Sequence, residues 1–145
     1  MSNPTHDVTT GTLSEAVECN AAFKVLLGDG LQRLQSAGRA QRGIANAFIR
    51  RGIGMTLSEL HAEVEDADRL LGELAAGRVE MSRARAPLTR YAGIVDQTMG
   101  WVQRMMTEHK DEIENSEQRK AVSEEDWARI RKAQSLGGAL RRLLG

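Results

Sequence analysis

Counting from Leu57 in alternating steps of three and four residues lands on an apolar side chain at nearly every stop as far as Ile113. The stops are Leu57, Leu60, Val64, Ala67, Leu71, Leu74, Arg78, Met81, Arg85, Leu88, Ala92, Val95, Met99, Val102, Met106, His109 and Ile113. Only Arg78, Arg85 and His109 break the pattern. A 3-4 alternation puts these side chains on one narrow face of an α-helix, the seam by which helices pack on helices. The chain must therefore bury a helical stripe 57 residues long, against itself or against another chain.

Composition agrees with helices. Prolines number 2 and aromatic residues make up 3% of the 145 residues, while 41% are apolar. A core has to be assembled from Leu, Ile, Val, Ala and Met, and scarce Pro and aromatics with abundant Ala, Leu, Arg and Glu favour helix over sheet. Thr56 and Glu59 have capping-box spacing, and Met55 and Leu60 stand at the positions of a hydrophobic staple, so a helix starts at Leu57. Ala75-Ala76-Gly77 predicts its end and Pro87 the first turn of the next helix. The same reasoning places a helix from Leu13 to Leu27, started by a Thr12/Glu15 capping box and ended by Gly28-Asp29-Gly30. A further helix is expected over 31–51. A last one starts at Ser123, with Asp126 as the box partner and Val122 and Trp127 as the staple, and is interrupted at Gly137-Gly138. Residues 1–11 read as a flexible tail before a single helical domain, 12–145, and residues 115–122 as a loop.

The fold class is thus all-α: a small bundle of four to five helices built on an antiparallel hairpin, 57–76 against 88–114. The alternative is one long kinked helix, 57–114, in an oligomer. Its length of about 85 Å, at roughly 1.5 Å per residue, exceeds what one chain of this size can cover. The heptad register stays in phase through 77–87, which suits the long helix. Arg78, Arg85 and the Gly77/Pro87 pair suit the hairpin.

The net charge is zero, but the charge is segregated. Residues 31–55 sum to +5, 56–80 to −5, 107–126 to −5 and 127–145 to +5, and there is no acid between Asp29 and Glu59. Such blocks suit pairing between neighbouring helices, or basic-on-acidic contact between copies. The basic segment 31–55 carries Arg39, Arg42, Arg50 and Arg51, candidates for contact with an anionic membrane or with nucleic acid. Phe48 is its one aromatic residue, fewer than nucleic-acid or membrane contact usually employs. Arg129, Arg131, Lys132, Arg141 and Arg142 make a second basic block, read as favourable cations near helix C-termini or as an amphipathic docking peptide.

Chemistry has little to stand on. The Glu-x-x-His spacing of di-metal bundles is absent, since Ser58 precedes His61 by three and Met106 precedes His109 by three. His61 with Glu65, and His109 with Glu108 or Glu112, offer two ligands each. Cys19 is flanked by Glu18 and Asn20, a setting that raises a thiol pKa, so it reads as a buried structural residue. Neither a phosphate-binding glycine loop nor a nucleophile elbow occurs. The functional expectation is a non-enzymatic helical protein without cofactor, metal or small-molecule substrate. It would act by self-assembly or by docking a protein partner. The seam residues Leu57, Leu60, Val64, Leu71, Leu74, Leu88, Val95, Met99, Val102 and Met106 are the candidate contact, with Met99, Met105, Met106 and Trp101 an adaptable patch. The alternative is a membrane-active or nucleic-acid-binding module using 31–55. No apolar run approaches the ~20 residues of a membrane span. The N-terminus lacks signal-peptide character. A cytoplasmic or intracellular setting is expected, with export lacking a cleaved signal as the other course.

Overall fold

The structure, a computed structural model, describes residues 4–114 and 123–145, with side chains described for 11–112 and 123–145. Among the described residues the protein is all-helical, without strands. The segments are α1 (Pro4–Ser36), α2 (Arg39–Ile53), α3 (Leu57–Ala75), α4 (Met81–Glu108), α5 (Lys110–Glu114), α6 (Glu124–Gln134) and α7 (Leu136–Leu144). The helical content matches the expected class, in a finer division than four or five helices. The loop at 115–122, the Val122–Trp127 staple and the seam side chain of Ile113 lie outside the described residues.

The start of α3 follows from local chemistry. The Thr56 side chain accepts a hydrogen bond from the Glu59 amide, and the Glu59 carboxylate accepts one from the Thr56 amide, completing the capping box. Hydrogen bonds from the Thr56 hydroxyl and amide, and then Arg50, hold the Glu59 carboxyl below its ordinary range. Met55 and Leu60 both join the core. At the other end Gly77 takes a φ of 73°, open to glycine at little cost, and its amide and that of Arg78 bond back to Leu74 and Glu73. The chain therefore breaks over 76–80, and the continuous helix 57–114 does not form.

Several expected boundaries move. The helix after the break starts at Met81, six residues before Pro87, which sits inside it. The turn ahead of Pro87 is held by Ala84, fully buried, and by Met81 packed on the core. Gly28 and Gly30 do not end α1, which runs to Ser36. Two interior glycines weaken a helix by about 1 kcal/mol each. Leu26 and Leu27, packed against the core around them, offset that. α1 also begins at Pro4 rather than Leu13, so residues expected in a tail are helical. The last break falls at Ser135, ahead of the Gly137-Gly138 pair, and Gly137 is buried beside the Asp96 carboxylate.

The middle of the seam is buried inside the chain. Leu60, Val64, Leu71, Leu88 and Val95 are sealed, against Ala16, Cys19 and Phe23 of α1 and Leu136, Ala139, Leu140 and Leu143 of α7. Leu57, Leu74, Met99 and Val102 are half-buried, and Met106 is 40% exposed. The basic C-terminal segment is therefore part of the core and not a free docking peptide. Arg141 pairs with Asp96 at 2.8 Å and Arg142 with Glu15 at 2.5 Å, while Arg85 donates to the Leu144 carbonyl at the end of α7. Cys19 is buried, as expected, and burial, then Glu15, pushes its thiol pKa up.

One polar cluster lies inside this apolar packing. Asn20 of α1 is fully buried. Its carbonyl oxygen accepts from the Tyr91 hydroxyl of α4, and its amide donates to the Val64 carbonyl at 3.4 Å and to Asp68 at 3.5 Å, both in α3. Lys24 closes the cluster on Asp68 at 3.4 Å. Burial first, then the charges of Asp68 and Glu63, push the Tyr91 phenol well above its ordinary value of 10.0.

Replacing Tyr91 by Phe leaves the Asn20 carbonyl buried and unsatisfied, and is expected to lower unfolding free energy by about 1–3 kcal/mol. The pH dependence provides a second check. A phenol whose pKa is raised by folding contributes stability that is complete below its unfolded pKa and is lost as pH rises above it. Denaturant titrations from neutral pH upward should show the wild type losing stability above its ordinary tyrosine pKa, with a shallower loss in Tyr91→Phe.

Candidate functional site

α2 is the one long helix that contributes little to the core. It lies between Gly38 and Gly54, whose left-handed φ of 88° closes its C-terminus. Its inner face is Ala45, Ile49 and Ile53, at i, i+4, i+8 spacing. Ile53 is buried and Ile49 packs on the core. Anchorage to α4 is local. The Trp101 indole lies over Gly52, where a Cβ would come within 2.0 Å of its Nε1, and Phe48 meets the Trp101 ring edge-on at 5.6 Å and 63°.

The outer face of α2 is also apolar. Ala40, Ile44, Ala47 and Phe48 recur at i, i+4, i+7 and i+8, and Arg51 follows at i+11. All five are exposed, Ile44 by 73% and Phe48 by 47%. An exposed single leucine or isoleucine is unremarkable, but here two large apolar residues are aligned on one helix face with small residues between them. Reading the segment by its inner stripe alone conceals this. The signal was nonetheless in the sequence, as a second apolar period out of phase with the first.

Charge sets the surroundings of this face. The acidic block 56–80 is largely engaged: Glu59 with Arg50 at 3.2 Å, Glu63 with Arg90 at 2.6 Å, and Asp68 with Lys24. Of the four arginines singled out in the sequence, Arg50 is thus paired. Arg39, Arg42 and Arg51 are exposed and have no acidic partner among the described residues. At the far end of α4, Met105 is half-buried beside exposed Met106. Glu108, Asp111 and Glu112 follow, all exposed. His109 terminates α4 and meets Glu112 at 3.3 Å, as His61 meets Glu65 at 3.3 Å.

Comparison with protein-family models, with curated proteins and with solved structures finds no match. The site must be read from its own geometry. Among the described residues no three His, Cys, Asp or Glu side chains gather to hold a metal, and no helix is long and apolar enough to cross a membrane. The cleft between α3 and α4, lined by Leu70, Pro87 and Tyr91 among others, holds about 70 Å³. That is room for roughly two waters at about 30 Å³ each.

The Trp101 anchorage yields a direct check. Gly52→Ala drives a methyl into the indole, and overpacking of this kind costs about 1–3 kcal/mol. The expected outcome is a lower melting temperature and a shifted, red-moving Trp emission as α2 lifts from α4. Retention of the wild-type spectrum and melting temperature would contradict the described seating.

Proposed function

We propose that this protein is a non-enzymatic helical interaction protein, and that the outer face of α2 is where it contacts another protein. In this reading α3 and α4 serve as an antiparallel hairpin, closed by α1 and α7 into a scaffold that displays α2. The observation that carries the reading is the alignment of Ala40, Ile44, Ala47 and Phe48, with Ile44 73% exposed. A partner helix seated there would bury Ile44 and Phe48 as knobs, and the alanines would let the two backbones approach to roughly 8–10 Å. Burial of what these two side chains still expose contributes about 2–4 kcal/mol before the costs of association.

A photo-crosslinking residue at position 44, in the full chain in the cells that make it, tests the reading. A discrete protein adduct at 44, and none from position 82, also exposed, is expected. Equal labelling at both sites would remove α2 as a contact surface.

A second reading draws on Arg39, Arg42 and Arg51, which have no acidic partner among the described residues: contact with an anionic membrane or nucleic acid. Its signature is salt dependence, since phosphate contacts are screened or displaced by counterions. Binding to anionic vesicles or duplex DNA at low salt, lost at high salt and lost when the three arginines become Gln, would support it. Equal binding by wild type and triple variant would remove it.

A further inference from the structure

We infer that α2 is a strap: it releases from its seat on Trp101 as one unit while the rest of the bundle stays assembled. The inference goes beyond the contact role proposed for the outer face of α2 and does not depend on it.

The attachments of α2 are few and lie at one end. Among the described residues, Ile53 is the one sealed core residue that α2 supplies. Ile49 packs on the core, Phe48 and Gly52 lie against the Trp101 indole, and Arg50 pairs with Glu59. All of these fall between residues 48 and 53. From Arg39 to Ala47 only Ala45 and Asn46 are even half-buried. Arg50 makes the one side-chain hydrogen bond from α2 to another element among the described residues, and that pair is exposed. Exposed ion pairs contribute little. The other helices are tied differently. α1, α3 and α4 share the buried Asn20 cluster, and α7 places Leu136, Ala139, Leu140 and Leu143 in the sealed core. A segment with few buried apolar groups and no buried polar tie opens at lower free energy than the body it rests on.

Nothing adjoining α2 has to unravel when it leaves. α1 closes on its own last turn, where the Ser36 hydroxyl and the Ala37 amide donate back to the Gln32 and Leu34 carbonyls. α3 starts on its own capping box, Thr56 with Glu59, which does not need Arg50. α2 is closed at both ends as well: the Arg42 amide donates to the Gly38 carbonyl, and the Gly54 amide to the Arg50 carbonyl. Gly38 and Gly54 join these three closed units. Both are exposed. A Cβ at Gly38 would meet nothing within 4 Å, and one at Gly54 only the Gln97 side-chain nitrogen at 4.0 Å. The joints are therefore free of packing, and Gly54 holds the left-handed φ that lets the chain turn there.

Release bares the Trp101 indole and the Ile49–Ile53 stripe together. Phe48 links this event to the outer face, since it meets Trp101 edge-on and is still 47% exposed. Anything that buries Phe48 meets a different surface in the seated and released states. It shifts the balance by the difference in its affinity for the two.

Native-state hydrogen exchange of the full chain, followed residue by residue at increasing sub-denaturing urea, tests the strap. Relative to their intrinsic rates, the amides from Ile49 to Ile53 should exchange about 100-fold faster than those of Val64, Tyr91 and Val95. They should share one opening equilibrium and one urea slope, shallower than that of the core, because release exposes less surface than unfolding. Protection and slope equal to those of Val64 overturn the inference, since α2 then opens only when everything does. A gradient along 49–53 with no urea slope also overturns it, because that is fraying within the seat. A covalent lock adds an independent arm. A Cβ at 52 would stand 2.3 Å from the Trp101 Cδ1, two bonds from the Trp101 Cβ, so Gly52→Cys with Trp101→Cys is within disulfide reach. In a Cys19→Ala background, oxidation of this pair should slow exchange over 49–53 about tenfold against the reduced form of the same variant. Equal rates in the two forms overturn the strap, and if the variant does not fold the wild-type slopes decide. The crosslink at position 44 bears on the contact role alone.

Discussion

The buried amide of Asn20 is the constraint on which the rest of the arrangement depends. A core of Leu, Val, Ala and Met is permissive: hydrophobic side chains of similar volume exchange with small losses, and helices faced with them slide at little penalty. An amide is not permissive. Asn20 needs Tyr91 from α4 and the Val64 carbonyl from α3 at once. Shifting α1 by one residue turns its side chains through about 100° and strips both partners from a group with no access to water. Three helices are thereby held in one register. Asp68 and Lys24 extend the cluster toward solvent, so the carboxylate that accepts the amide's hydrogen bond is not itself a buried, unpaired charge.

Once α1, α3 and α4 are set, α7 completes the core and α2 is left over. Leu136, Ala139, Leu140 and Leu143 fill the side of the bundle that the seam exposes. That leaves α2 attached through Ile53 and Ile49 and through the packing of Gly52 and Phe48 on Trp101. Packing accounts for those residues. It has no use for Ile44, which stands in solvent on the opposite face, and interior stability would be served as well by a polar residue there.

What the sequence made legible was what local chemistry decides. Thr56 and Glu59 satisfy each other within one turn, so their capping box can be recognised without knowing the fold, and Gly77 ends α3 by a backbone conformation that glycine adopts freely. Failures occurred where a small local preference met a larger tertiary term. Glycines at 28 and 30 weaken a helix modestly, and packing of α1 against the core overrides them. Pro87 suggests a first turn, yet burial of Ala84 extends the helix upstream of it. The seam showed that a long apolar stripe must be covered, but a heptad pattern does not name the covering chain, and here α1 and α7 of the same molecule cover its middle. The Asn20–Tyr91 pair was invisible because it joins residues 71 apart in sequence, and nothing local distinguishes an Asn that will be buried from one that will not.

Charge segregation is the feature that fold and packing only partly absorb. Neighbouring blocks of opposite sign meet where the bundle brings them together: α2 with α3 through Arg50 and Glu59, α3 with α4 through Glu63 and Arg90, α7 with α1 and α4 through Arg142 and Arg141. These pairs are solvent-exposed and each contributes little. Their effect is on which elements may be adjacent, since the wrong neighbour would oppose like charges. After this pairing Arg39, Arg42 and Arg51 of α2 have no acidic partner among the described residues, and neither do Arg33, Arg78, Arg83, Arg131 and Lys132 elsewhere. On α2 Ile44 also stands exposed, a side chain that the core does not use. Selection for solubility alone would intersperse the two signs and leave no apolar stripe between them. An exposed, aligned Ile44 on a helix without acids is a feature that neither core packing nor solubility requires.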